Sequence, residues 1–288
     1  MNIGWIGQGW IGKHYADDFE QRGLSVVRYA LEEPYRANKG KIAECDIVFI
    51  AVPTPTTPTG FDDSIVREAV GLVGKGKVAV IKSTLLPGTT ESILAQYPGV
   101  FVMHSPEFLV EQTAAHDAAH PERNIVGIPE DTSEYRQKAQ EVLALLPEAP
   151  YARVMHSRDA EFIKYAGNCF LFTKVLYMNV LYDAVAASGA NWEQVREAMI
   201  RDPRIGESHT QPVHQSWHAQ SGQPQPQPRG AGGHCFIKDF EAFRALYQHV
   251  VADPAGQAML DAMRDKNIAL LTASKKDLDL LAGVYGNL

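Results

Sequence analysis

The chain has 288 residues, 45% of them hydrophobic, and a formal net charge of −7. That length allows one large domain or two ordinary ones. The acidic balance argues against a nucleic-acid or anionic-membrane partner, either of which would want a basic face. The three cysteines, Cys45, Cys169 and Cys235, show neither paired metal spacing nor a disulfide framework, a pattern suited to the reducing cytoplasm. The start of the chain does not read as a signal peptide, and no apolar run reads as long enough to span a membrane.

Residues 2–6 are short and largely apolar, as a buried parallel strand would be. Gly7-Gln8-Gly9-Trp10-Ile11-Gly12 follows, and then a helical pattern to about Gln21. Strand, G-x-G-x-x-G and helix form a dinucleotide fingerprint. Gly7 makes the tight turn, Gly9 admits the pyrophosphate, and Gly12 lets helix and strand pack closely. A second strand spans 25–29, and an acid for the cofactor's ribose is expected near its end. Ala30-Leu31 stands there, the acids come late at Glu32 and Glu33, and Arg28 lies nearby. NAD is expected over NADP, with Arg28 as the contrary sign.

Strands are expected at 46–52, 77–81, 100–103 and 123–127. Helices are expected at 64–73, from Pro87-Gly88-Thr89-Thr90 onward, and at 133–146. The alternation predicts an α/β fold with a doubly wound parallel sheet, whose ligands sit at the carboxyl ends of strands. The threonine-rich turns at 53–56 and 82–84 fall at such ends. In the loop 104–111, Glu107 and Glu111 share a face if the segment is helical, and one of them could deprotonate a water.

From residue 158 the pattern changes to helices. A long one covers 160–188 and carries Lys164 and Asn168 at i and i+4, two donors able to stabilise an oxyanion. Residues 209–228 are dominated by Gln, Pro and His and read as a mobile or polyproline-like insertion. Its His209, His214 and His218 lack acidic or cysteine partners, so no metal is expected. Cys235 directly follows the glycine turn 230–233, with Lys238 and Asp239 close behind. Such a cysteine can be a nucleophile if nearby positive charge favours its thiolate. Helices are expected at 239–249 and about 255–282. The domains divide as 1–156, Rossmann-like and NAD-binding, and 157–288, an all-helical catalytic and dimerisation domain.

Four motifs in this order resemble the UDP-glucose/GDP-mannose dehydrogenase family: Lys82-Ser83-Thr84, the 105–111 loop, Lys164-Tyr165-Ala166-Gly167-Asn168, and the 232–239 stretch. The resemblance implies a four-electron oxidation of a sugar C6 alcohol to a carboxylate, with two NAD reduced. It implies Cys235 as the nucleophile, Lys164 and Asn168 at the oxyanion, and Asp239 assisting. It makes Glu107 a general base acting through a water held by Thr84. Gly7, Gln8, Gly9, Trp10, Ile11, Gly12, Val52, Pro53, Thr54, Thr84, Glu111 and Lys238 would contact the cofactor. Phe108, Leu109, Glu111, Lys164, Asn168, Arg204 and Gly232 would contact a nucleotide-sugar substrate, with Arg204 reaching that of a neighbouring subunit in a homodimer. The family's third, Rossmann-like domain finds no counterpart in this sequence. Two other readings stand: a two-electron 3-hydroxyacid-type dehydrogenase, and a catalytically weak NAD-binding module.

Overall fold

The computed structural model describes residues 1–215 and 227–286. Two compact units emerge: Met1–Pro55 with Asp62–Lys164, and Thr56–Phe61 with Tyr165–Leu288.

The first unit is built on a seven-stranded sheet. Its strands are β1 (Ile3–Ile6), β2 (Val26–Tyr29), β3 (Ile47–Ile50), β6 (Val78–Ile81), β7 (Phe101–His104), β8 (Arg123–Ile128) and β9 (Tyr151–His156), in the order β2-β1-β3-β6-β7-β8-β9. The two short strands β4 (Thr56–Thr57) and β5 (Gly60–Phe61) pair with one another in the second unit. β1, β3 and β6 are buried along their whole length, which explains their unbroken apolar runs. Trp5 is fully buried, stacked on Phe49 at 4.6 Å and on Tyr15 at 5.7 Å, with Phe19 edge-on. Each such aromatic pair contributes about 0.5–1.5 kcal/mol beyond its buried area.

The expected parallel, doubly wound sheet is present, with one departure. β8 meets β7 antiparallel, and β8 and β9 are parallel to each other. β9 was not expected, because its residues are mostly exposed and lack the apolar run that announces a buried strand. The helices of this unit are α1 (Trp10–Gln21), α2 (Ser64–Val70), α3 (Thr89–Gln96), α4 (Ala114–Ala119) and α5 (Ser133–Leu145). A 3-10 helix spans Arg36–Glu44. The loop 105–110 is irregular, so Glu107 and Glu111 do not share a helical face; Glu107 is buried and Glu111 exposed.

α6 (Ser157–Ala187) belongs to the first unit up to Lys164 and to the second from Tyr165. Near its start, Glu161 accepts from the backbone N–H of Gly88 (2.6 Å) and Thr90 (2.8 Å) and from the Thr90 hydroxyl. It thereby satisfies the open N-terminus of α3. By length and composition α6 could cross a membrane, contrary to the sequence expectation. Its Phe172, Val175 and Leu176 nevertheless pack into the core of the second unit.

That unit continues with α7 (Trp192–Met199), α8 (Gly233–Val250), α9 (Pro254–Ser274) and α10 (Leu278–Tyr285). Asn191 caps α7 as expected, accepting from Gln194 N at 3.1 Å. Two expectations fail here. α8 begins at Gly233, so Cys235 lies within its first turn, where a helix was expected only from 239. The single helix expected over 255–282 is broken at Lys275–Asp277, where Lys275 and Asp277 take the left-handed conformation. Most of the expected insertion, including His218, lies outside the described residues.

Candidate active site

The fingerprint turn is shaped for a dinucleotide. Gly7 has φ +89°, and a Cβ there would lie 2.1 Å from the Ala51 carbonyl oxygen. A Cβ on Gly12 would lie 2.0 Å from the Gly7 carbonyl oxygen, so both positions demand glycine. Gly9 caps α1, and a Cβ there would meet nothing within 4 Å, which leaves its face open to a ligand. The first turn of α1, Trp10-Ile11-Gly12-Lys13, holds no acid, so its free N–H groups present positive potential to a pyrophosphate. Gln8 Nε2 donates to the Gly7 carbonyl at 3.0 Å. Trp10 is half exposed and packs edge-on against His14. Where β3 and β6 end, Ser83 Oγ donates to the Val52 carbonyl and accepts from Val52 N, tying the segment Val52-Pro53-Thr54 to Thr84. Thr54 and Thr84 are both buried.

Arg28 is not free to hold a 2′-phosphate. It is buried, paired with Asp17 and Glu20 at 2.7 Å each, and donates to Gln8 Oε1. With Glu32 and Glu33 close beyond the end of β2, the arrangement fits NAD.

A second group in the first unit surrounds Glu107. Lys164 Nζ, from α6, donates to Glu107 Oε1 at 2.6 Å and to the Glu107 carbonyl at 3.0 Å, with both side chains buried. Leu109 N donates to Glu107 Oε2 at 2.8 Å. Both carboxylate oxygens are thus held, and Glu107 faces one ammonium. Lys82 adds a second buried ammonium, donating to Ser105 Oγ at 3.2 Å and lying 4.5 Å from the centre of the Tyr15 ring. Burial pushes it down to about 7, with Glu107 opposing and Lys164 reinforcing the shift. Burial likewise pushes His104 down to about 3, so that imidazole stays neutral. Phe108 stacks under Arg123, with the guanidinium 3.7 Å from the ring centre.

In the second unit, Asp239 is buried at 1% exposure. Asn168 Nδ2 donates to its Oδ2 at 2.6 Å, and Lys238 Nζ to its Oδ1 at 2.5 Å. Lys238, expected at the cofactor, is therefore engaged with Asp239. The same stretch of α8 brings Cys235 to the surface. Of the three free cysteines only Cys235 is exposed; Cys45 is buried and Cys169 half-buried. Burial, then Asp239, pushes the Cys169 thiol up to about 12, and burial also raises Cys45. Neither suits a nucleophile, which needs a reachable thiolate. Cys235 sits where the N–H groups of α8 favour an anion. Gly232 caps that helix, and a Cβ on it would lie 2.0 Å from Asp277 Oδ2.

Arg204 is 87% exposed and folds back onto Asp202 at 2.6 Å. His209 packs against Phe236, and His214 Nε2 lies 2.9 Å from Lys276 Nζ. Sequence reading missed Lys82 as a site residue, although it opens a quoted motif. It also missed Asn267, Lys276 and Asp277, which the helix pattern over 255–282 concealed.

Residues 31–145 match the NAD binding domain, and residues 158–269 the central domain, of the UDP-glucose/GDP-mannose dehydrogenase family. The chain belongs to that family. UDP-glucose 6-dehydrogenase of Pseudomonas aeruginosa is 33% identical over 222 residues, covering 70% of this chain and 44% of the relative. The UDP-glucose dehydrogenase structure from Pyrobaculum islandicum superposes with a TM-score of 0.75 at 26% identity, over 92% of this chain and 68% of that one. The 3-hydroxyisobutyrate dehydrogenase of Mycobacterium tuberculosis shares the fold, with a TM-score of 0.67 at 15% identity over 99% of this chain and 98% of that one. The chain spans about half the length of the first curated relatives it matches.

Proposed function

We propose that this family member is a cytoplasmic, NAD-dependent enzyme that oxidises the C6 alcohol of a nucleotide-linked sugar to a carboxylate through a thioester on Cys235. The observation that carries the reading is the contrast among the cysteines: the exposed one lies in the first turn of α8, four residues before the Asp239 carboxylate that Asn168 and Lys238 hold. A two-electron dehydrogenase has no use for that arrangement.

NAD, when bound at the Gly7–Gly12 turn, supplies the hydride acceptor for both oxidations. Cys235 attacks the aldehyde carbon, and the resulting thiohemiacetal holds the substrate until its second oxidation to a thioester. Lys164 and Asn168 donate to the oxygen that gains charge in the tetrahedral intermediates. Glu107, held between Lys164 and Leu109 N, takes the proton of the hydrolytic water, with Thr84 orienting that water. Hydrolysis returns the thiol and releases the carboxylate. Asp239 keeps Asn168 oriented. Phe108, Leu109, Gly232 and Arg204 would shape substrate binding, Glu111 would help build the site, and the chain would work as a homodimer through α6.

The test is stoichiometry. The protein is incubated with NAD and UDP-glucose, then with other nucleotide sugars, and NADH and acid are counted per sugar consumed. Two NADH and one carboxylate are expected. One NADH with a carbonyl product would favour the 3-hydroxyacid-type reading, and none with any sugar would favour a binding module.

A further inference from the structure

The glycine loop before Cys235 is held peptide by peptide from one neighbouring segment. Arg229 N donates to Ser274 Oγ at 3.1 Å. The Gly230 carbonyl accepts from Lys276 Nζ at 2.9 Å. Asn267 grips both sides of Ala231, accepting from its N–H at 2.8 Å and donating to its carbonyl at 3.0 Å. Gly233 N donates to Asp277 Oδ2 at 2.7 Å. All these partners come from the end of α9 and the break between α9 and α10, and all are buried. Packing alone would bury apolar side chains against this loop, not place polar ones on its successive peptide groups.

The break has its own backbone signature. Lys275 (φ 55°), which closes α9, and Asp277 (φ 52°) are both left-handed without being glycine. This turn places Lys276 and Asp277 on the loop. Gly232, the cap of α8, has no side chain to satisfy the first N–H groups of that helix, and Asp277 satisfies one of them from outside.

We propose that Lys276 and Asp277 are positioning residues for Cys235, fastening the glycine loop and the first turn of α8 so that the thiol is presented at an ordered helix N-terminus. This rests on the reading of Cys235 as the nucleophile, but its central test does not need the reaction. Asp277→Ala and Asp277→Asn both remove the charge; only the asparagine keeps an oxygen for Gly233 N. In the full chain, iodoacetamide labelling of Cys235 is followed by mass spectrometry, with amide exchange at 233–236 in parallel.

Cys235 should react about fivefold more slowly in Asp277→Ala than in Asp277→Asn, and the alanine variant should lose exchange protection that asparagine retains. Equal rates and equal protection in the two variants would overturn the proposal. Should Asp277→Ala not fold, Lys276→Met, which removes the bond to the Gly230 carbonyl, should raise exchange at 230–236; unchanged exchange there would overturn it equally. With an active substrate in hand, Asp277→Ala should lower kcat at unchanged KM for NAD, and Asp277→Asn should restore it. Failure of that last readout while labelling and exchange behave as expected would count against the reaction and not against the clamp.

Discussion

A buried ammonium whose hydrogen-bond partners are neutral is costly, and Lys82 is such a group: its bonds go to Ser105 Oγ and the Pro106 carbonyl. Replacing it with Met should remove that desolvation cost, together with the charge that interacts with Glu107. The pH dependence has a definite sign. The folded value lies near 7 against an ordinary 10.5, so between those limits the unfolded chain holds a proton that the folded chain has released. Stability should therefore rise with pH across that window, and urea unfolding of Lys82→Met should show a smaller rise than the parent. An identical slope would mean that Lys82 titrates normally. A companion test concerns the nucleophile: Cys235→Ser should abolish acid formation, a barrier increase above roughly 3 kcal/mol, while NAD titrations remain unchanged. Cys235, Lys164, Asn168 and Asp239 were legible as candidates because chemistry-bearing side chains stand at motif spacing, whereas Lys82 was not read as one. Side-chain partners were not legible: that Lys238 would turn to Asp239, and that Arg28 would be consumed by Asp17 and Glu20, depends on packing that no spacing encodes.

Strands and helices were readable wherever burial enforced a period. β1, β3 and β6 are continuous apolar runs buried throughout, and α1 follows its glycines as the fingerprint requires. β9 escaped notice because an edge strand with exposed residues has no such run. The start of α8 was misplaced because glycines signal turns, yet Gly232 and Gly233 here form the cap and first residue of a helix. The break after α9 was hidden because Lys275, Lys276 and Asp277 are ordinary helix-surface residues in sequence, yet Lys275 and Asp277 are left-handed and Lys276 and Asp277 turn to the glycine loop. At this scale, Gly7→Ala is the informative change. Its Cβ would strike the Ala51 carbonyl at 2.1 Å in a backbone conformation that alanine resists, costing about 1–3 kcal/mol. Calorimetry should find NAD binding lost, and thermal melting should show the lower stability; NAD affinity equal to that of the parent would remove this turn from the cofactor site.

Assembly follows from how α6 divides its apolar residues. Of the aromatic and aliphatic side chains of α6, Phe172 and Leu176 are buried in the second unit, and Leu181 packs near Met178 and Trp192. Phe162, Phe170, Tyr177 and Val180 remain 42%, 68%, 59% and 50% exposed. Their spacing of eight, seven and three residues keeps them on one face of a 31-residue helix. An exposed apolar face of this kind would suit the proposed homodimer, because two copies of a helix can meet face to face across a twofold axis. In the proposed homodimer this stripe is the seam, and Arg204, whose guanidinium among the described residues pairs with the neighbouring Asp202, would swing toward the partner's substrate. Sedimentation should find a dimer, and the double change Phe170→Asp with Tyr177→Asp should yield a folded monomer. Arg204→Ala should keep the dimer and the NAD affinity but raise KM for the sugar substrate. Mixing Arg204→Ala with Cys235→Ser subunits then separates action within a subunit from action across the interface. If Arg204 reaches across, a mixed dimer pairs the intact arginine of the serine subunit with the intact cysteine of the alanine subunit, and activity at low substrate should exceed that of either parent variant. A fully active monomer, or mixtures no better than Arg204→Ala alone, would rule the arrangement out.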